Sequence, residues 1–159
     1  MAPRSKHHLV LLGTLALLAC GTGGFAQDVA QLRTWLPGDH HIHSEWSVEY
    51  DSATNPPTPF LGAAGAIYSV RQNAERARSY GLAWMVQTDH GGPNHSKLNF
   101  EQAYPALVLS RAAVPDILQF YGMEFDTPAA DHSTLMIPKT DAERRALFEL
   151  ESRFAKYDA

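Results

Sequence analysis

Short apolar runs of strand length alternate with longer amphipathic segments along this chain, and that alternation limits the folds it can adopt. Strands that are separated by helices pair most readily in parallel, because each helix carries the chain back across one face of the sheet. The pattern therefore predicts an α/β fold with a mainly parallel sheet. The predicted strands are residues 39–44, 82–88, 117–125 and 133–137, and the predicted helices are residues 66–80, residues 100–113 and a segment that starts at Thr140.

Local signals indicate where these helices begin and end. Gly81 follows the first helix in the position of a C-terminal cap. Pro105 must lie in the first turn of the second helix, or that helix begins later. The residues from Thr140 to Glu143 match a capping box ahead of the last helix. The apolar stripes are Ile67, Val70, Ala74 and Ala77 in the first helix, and Leu147, Leu150 and Phe154 in the last.

The first 26 residues have the pattern of a signal peptide. Arg4 and Lys6 precede an apolar run at 9–19, and Gly24 and Ala26 are the small residues that signal peptidase requires. The run is shorter than the ~20 residues that a membrane-spanning helix needs. In a second interpretation, residues 17–20 resemble a bacterial lipobox, with lipidation at Cys20. We expect residues 27–159 to be periplasmic or secreted, with membrane attachment only in the lipidated form.

The charge of the chain argues against some classes of partner. The sequence has 13 Lys and Arg residues against 17 Asp and Glu residues, a formal net charge of −4, and loss of the leader would make it −6. Nucleic-acid binding needs clustered positive charge, so we expect no nucleic-acid partner. An acidic domain that binds an anionic substrate needs another source of positive charge, and metal ions supply one. A single cysteine allows no internal disulfide.

The first strand carries a group of residues typical of a metal site. Residues two apart on a strand point to the same side, so Asp39, His41 and His43 share one face. Neutral imidazoles bind zinc, iron or manganese, and a nearby carboxylate can orient a ligating ring. An exposed polar strand would give the same pattern, so this motif alone does not establish a site.

Two further clusters lie where later strands end. Asp89 and His90 follow the strand at 82–88, and Glu124 precedes His132 near the end of an otherwise apolar strand. In α/β folds the carboxyl ends of the strands carry the functional groups. Alternatively, Asp89 binds turn amides and Glu124 is a strand end in solvent. A glutamate buried in such a strand would need a partner or a cation.

Taken together, the three clusters resemble the PHP family, the polymerase and histidinol phosphatase superfamily of metal-dependent phosphoesterases. The similarity covers residues 37–138. It rests on the segments 38–44, 80–91 and 122–124 with His132. The resemblance implies an α/β fold that forms the N-terminal portion of a distorted (β/α)7 barrel, with two or three divalent transition metal ions (zinc, manganese or iron) at the carboxyl ends of its strands.

The resemblance also implies roles for individual residues. His41 and His43 correspond to ligands of one metal, Glu124 to a bridging carboxylate, and His90 and His132 to ligands of neighbouring metals. Asp89 and Glu124 are the candidate catalytic carboxylates, although Asp39 and Asp89 correspond better to groups that orient ligands. A further ligand would come from residues 44–51, where we favour Glu49 over Glu45 and Asp51. His40 and His95 match no motif, and we expect both at the surface.

The chain departs from the family pattern in its second half. Members of the family close the metal cluster with a later Asp-x-His motif, and no such motif follows His132. Removal of the leader would leave 133 residues, about half of the ~250 that a β/α barrel takes. We therefore expect an incomplete barrel whose open edges could self-associate.

The sequence thus favours a hydrolase of small phosphate esters that uses a metal-activated water. The sequence has no Gly-x-Ser-x-Gly motif or phosphate-binding P-loop. The alternative is a non-catalytic metal-binding module, or an inactive fragment of such a hydrolase.

Overall fold

The structure is a computed structural model, and it describes residues 34–51, 53–54, 58–60, 66–92, 95–126 and 132–154. The predicted leader at 1–26 lies outside the described residues. The described residues from Leu36 onwards form one compact unit, to which every element below belongs. Among the described residues, no helix combines the length and the apolar character that a membrane crossing requires.

A four-stranded sheet in the order β1-β4-β5-β6 forms the centre of the unit. Its strands are β1 (Gly38–Ile42), β4 (Trp84–Gln87), β5 (Leu118–Asp126) and β6 (His132–Ile137). β1, β4 and β5 run parallel, as the alternation predicts, whereas β6 is antiparallel to β5. Only residues 127–131 separate β5 from β6, too few for the crossover that a parallel pair needs.

A small hairpin that the sequence analysis did not predict follows β1. Its strands are β2 (Glu49–Asp51) and β3 (Thr58–Phe60), which pair antiparallel. At three residues each, these strands are too short for the alternation of apolar and polar residues to identify them.

The first helix, α1, covers Val70–Ser79. It begins later than the predicted start at residue 66, because Ser69 caps it: the Ser69 hydroxyl accepts a hydrogen bond from the Gln72 amide, and the Gln72 side chain accepts one from the Ser69 amide. Ile67 therefore precedes the helix and is 70% exposed, so its assignment to the buried face was wrong. Gly81 has a φ of 75°, a left-handed conformation that favours glycine after a helix.

A second helical segment starts earlier than predicted, at His95. It consists of α2 (His95–Leu98), a π-helical turn (Asn99–Ala103) and α3 (Tyr104–Ala113). Pro105 lies in the first turn of α3, directly after the π-helical turn.

The last helix, α4, covers Glu143–Phe154, and its predicted capping box is wrong. The Thr140 hydroxyl accepts a hydrogen bond from the Ala142 amide, not from Glu143. The Glu143 carboxylate is instead buried and forms a bidentate ion pair with Arg111 of α3. An ion pair between helices thus replaces the local cap.

The core lies between the helices and the sheet. One cluster joins α1, α3 and α4 to β5 and β6, and the other joins α1 to β4 and the turn before β5. The first contains Val70, Leu107, Tyr121, Met123, Ile137 and Leu147, and the second contains Ala74, Ala77, Met85, Val114 and Ile117. This mixed α/β arrangement is consistent with part of a barrel. Because β1, β4 and β5 are parallel, the ends that carry the three motifs meet at one edge of the sheet.

Candidate metal centre

His41 of β1, His43 just after the end of β1, and Glu124 of β5 meet at this edge. The His41 Nε2 atom is 2.8 Å from both His43 Nε2 and Glu124 Oε2, and His43 Nε2 is 3.1 Å from Glu124 Oε2. Ligands around one tetrahedral zinc ion at ~2.1 Å lie about 3.4 Å from each other. The three atoms are therefore about as close as the ligands of a shared ion, and His41, His43 and Glu124 could hold a metal ion.

The strand geometry explains why the two histidines converge. Their ring centroids are 4.9 Å apart, which is the same-side placement that residues two apart in an extended chain adopt. Glu124 lies two strands away on β5, and β4, the strand between them, ends at Gln87, which pairs with Ile42. The chain after β4 then runs beside β5, with the Gly91 amide donating to the Glu124 carbonyl oxygen.

Glycine at position 91 permits this close approach. A Cβ atom there would lie 2.8 Å from the Glu124 carbonyl oxygen and 2.9 Å from Met123 Sδ. A larger residue at position 91 would have to displace β5, and with it the candidate ligand Glu124. The Gly91 backbone thus helps to set the position of Glu124.

Glu124 is a buried carboxylate surrounded by imidazoles. Only 8% of the residue is exposed, so the alternative that it is a strand end in solvent is wrong. Its Oε2 atom faces His41 and His43, and its Oε1 atom is 2.8 Å from Nδ1 of His132. Burial of a charge is costly without partners of this kind. Both oxygens are directed towards groups that bind a proton or a metal.

The electrostatics favour an uncharged His43. Burial lowers the pKa of His43 below its usual value, and the neighbouring Glu124 carboxylate only partly offsets that effect. A neutral imidazole keeps a lone pair on one ring nitrogen, which is the form that binds metal.

Asp89 lies behind the histidines rather than among the three clustered ligands. Its carboxylate accepts hydrogen bonds from the Ser44 amide (2.5 Å), the Ser44 hydroxyl (2.8 Å), the Ser47 hydroxyl (3.0 Å) and the Gln87 side chain (2.5 Å). It is 2% exposed. Asp89 therefore ties the end of β4 to the loop after β1. The alternative was that Asp89 binds amides of its own turn. The backbone amide that it binds belongs instead to Ser44, in the loop after β1.

His90 and Glu49 form a second pair next to this cluster. The His90 ring is 5.0 Å from the His43 ring, and its Nδ1 atom is 3.1 Å from the Val48 carbonyl oxygen and 3.5 Å from Glu49 Oε1. The Glu49 side chain is 54% exposed. The structure thus places all six sequence-predicted ligands in one region, but only His41, His43 and Glu124 form a three-ligand cluster among the described residues.

The prediction that His95 lies at the surface was wrong. His95 is 8% exposed, its Nε2 atom is 3.0 Å from the Val48 carbonyl oxygen, and its ring packs edge-on against Tyr50. The sequence carries no motif for this contact, because Val48 and His95 are distant along the chain. His40 is exposed, as expected.

Two hydroxyl groups that the sequence analysis missed support the clustered histidines. Thr134 Oγ1 is 2.9 Å from Nδ1 of His41, and Ser47 Oγ is 2.7 Å from Nδ1 of His43. Thr134 occupies this place because it is paired with Glu124 in the register of β5 and β6. Strand register across a sheet is not visible in a single sequence.

Comparisons of the chain with protein-family models, with curated proteins and with solved structures found no match.

Proposed function

We propose that this chain is a PHP-like, metal-dependent phosphoesterase, or part of one, which hydrolyses small phosphate esters with a metal-activated water. The observation that carries the proposal is the convergence of His41, His43 and Glu124 at the carboxyl ends of parallel strands. We further propose that the described sheet is the N-terminal portion of a (β/α)7 barrel.

The ligand set fits a divalent transition metal. Two imidazole nitrogens and one carboxylate oxygen suit zinc, manganese or iron, and catalytic zinc sites commonly use three protein ligands with one position open. The side chains of His41 and His43 are 32% and 24% exposed, so the cluster can be reached from solvent. His90, Glu49 and His132 are the candidates to hold a second or third ion.

In this proposal the metal, Glu124, Asp89 and His132 have different roles. A divalent ion bound by these residues would lower the pKa of a bound water and would stabilise charge on the phosphoryl oxygens. The buried carboxylate of Glu124 would balance the positive charge of that ion. Asp89 holds the loop after β1 in place through Ser44 and Ser47, so its contribution to catalysis is positional. The solvent-facing His132 contacts Glu124 and can orient it.

The experiment compares a double variant with a matched control. His41→Ala/His43→Ala removes two of the three clustered ligands, whereas His40→Ala removes an exposed histidine from the same strand. After dialysis against zinc or manganese, metal content and turnover of p-nitrophenyl phosphate and bis-p-nitrophenyl phosphate are measured. We expect the double variant to lose bound metal and turnover, and His40→Ala to keep both. Equal metal content in the parent and the double variant would refute the site.

The second candidate is a non-catalytic metal-binding module. It is favoured by the presence of a single three-ligand cluster within the part of the chain that the structure describes. The same experiment separates the two, because a module would bind metal through His41 and His43 without hydrolysing either phosphate ester.

A further inference from the structure

Ser47 lies at the centre of a buried hydrogen-bond network behind the candidate metal centre. The residue is fully buried, so water does not compete for its hydroxyl group. Three polar atoms surround its Oγ atom: Nδ1 of His43 at 2.7 Å, Oδ1 of Asp89 at 3.0 Å and the backbone N of His90 at 3.2 Å.

The hydrogen-bonding capacity of these groups fixes the direction of each bond. A serine hydroxyl donates one hydrogen and accepts two. The backbone N–H of His90 can only donate, so it uses one acceptor position. The carboxylate of Asp89 accepts, and a hydrogen bond to an ionised group is roughly twice as strong as one between neutral groups. The single hydroxyl hydrogen of Ser47 therefore goes to Asp89.

The ring of His43 must then supply the third hydrogen bond. With its hydrogen committed to Asp89, Ser47 can interact with Nδ1 of His43 only as an acceptor. Nδ1 therefore carries the hydrogen, and the lone pair of the neutral ring lies on Nε2. The Nε2 atom is the one that faces His41 and Glu124. A free histidine side chain favours the opposite tautomer, with the hydrogen on Nε2. In that tautomer the Nε2 atom has no free lone pair and cannot bind metal.

We infer that Ser47 is a positioning residue, which holds His43 in the Nδ1–H tautomer and so keeps the Nε2 lone pair directed into the metal centre. The inference deepens the proposed function, since its consequence for metal affinity rests on the site formed by His41, His43 and Glu124. The tautomer itself is a property of the metal-free protein and can be tested without any metal. Removal of groups that orient ligating histidines typically lowers metal affinity by about 10- to 100-fold.

The experiment uses three variants of the full chain. Ser47→Ala removes the hydroxyl, Ser47→Thr retains it, and Ser110→Ala removes an equally buried hydroxyl of α3 that donates to Gln119 away from the site. Long-range ¹H–¹⁵N spectra of the imidazole rings report the His43 tautomer in the metal-free protein. Competition with a chelator gives the dissociation constant for Zn²⁺. Circular dichroism identifies any variant that fails to fold.

We expect the Nδ1–H tautomer of His43 in the parent, in Ser47→Thr and in Ser110→Ala, and a shift towards the Nε2–H tautomer in Ser47→Ala. Zinc affinity should fall about 10- to 100-fold in Ser47→Ala alone. A parent His43 in the Nε2–H form overturns the inference, as does a folded Ser47→Ala protein with an unchanged tautomer. If the tautomer shifts but the parent binds no zinc, the role of Ser47 holds and the proposed metal site fails.

Discussion

The buried Glu151 should make the protein less stable as the pH rises. The residue is 1% exposed, and one of its carboxylate oxygens, Oε2, has no hydrogen-bond partner, while the other accepts from Asn99 Nδ2 at 3.0 Å. Burial raises the pKa of Glu151 to about 8, from the usual 4.5. The folded protein therefore keeps a proton that the unfolded chain releases.

The sign and size of the effect follow from linkage. Between pH 4.5 and 8 the folded state binds more protons at Glu151 than the unfolded state, so stability falls as the pH rises and levels off above about 8. Each pKa unit is worth about 1.4 kcal/mol. The loss relative to pH 4.5 is therefore roughly 3 kcal/mol at pH 7 and approaches roughly 4 kcal/mol above pH 8.

Glu151→Gln isolates this effect because it removes the charge and keeps an acceptor oxygen for Asn99. The matched control is Glu149→Gln on the same helix, where the side chain is 60% exposed. Thermal unfolding is followed by circular dichroism from pH 4.5 to 9 for the parent and both variants. At about 3–6 °C per kcal/mol for a domain of this size, the Tm of Glu151→Gln should exceed that of the parent by about 9–18 °C at pH 7.

The comparison at low pH completes the test. At pH 4.5 the parent and Glu151→Gln should have similar Tm values, because Glu151 is then neutral in the folded protein. The Tm of Glu149→Gln should follow that of the parent throughout. Parallel curves for the parent and Glu151→Gln over the whole pH range would refute the assignment of a raised pKa to Glu151.

Two further predictions concern the candidate site and the leader. Glu124→Gln keeps the size and one oxygen but deletes the charge, so metal stoichiometry should drop and phosphoesterase turnover should fall by at least about a hundredfold. His40→Gln is the control, and unchanged stoichiometry and turnover in Glu124→Gln would contradict a metal cluster at this site. Mass spectrometry of the exported protein should show an N-terminus at Gln27, or a lipidated Cys20; an intact Met1 in the cytoplasm would remove the prediction of export.

Local patterns were sufficient to predict much of the fold and to single out the three side chains that converge at the candidate site. The His-x-His motif places both rings on one side of an extended segment whatever surrounds it, and the apolar run before Asp89 identifies β4. Glu124 was predicted because a carboxylate in an apolar strand needs a partner. Each of these inferences depends on residues that are close together in the sequence.

The features that were missed depend on contacts between distant segments. Ser47 and Thr134 reach the histidines through the loop after β1 and the register of β5 with β6. His95 is buried because α2 places it against Val48. Glu151 is different, since it lies four residues after Leu147 on the same stripe of α4. Helical spacing could have identified it, but a glutamate on an apolar stripe is usually solvated, and only packing shows that this one is not.

The contacts around the three clustered ligands have a consequence for metal binding. Nδ1 of His41 and Nδ1 of His43 are each held by a hydroxyl group, and Glu124 is fixed between the histidines and His132. These side chains therefore lose their rotational freedom when the protein folds. Ordering a flexible side chain typically costs about 0.5–1.5 kcal/mol at a binding site. A cation that bound at this candidate site would not bear that cost, so the hydrogen bonds behind the three side chains would raise its affinity without contacting it.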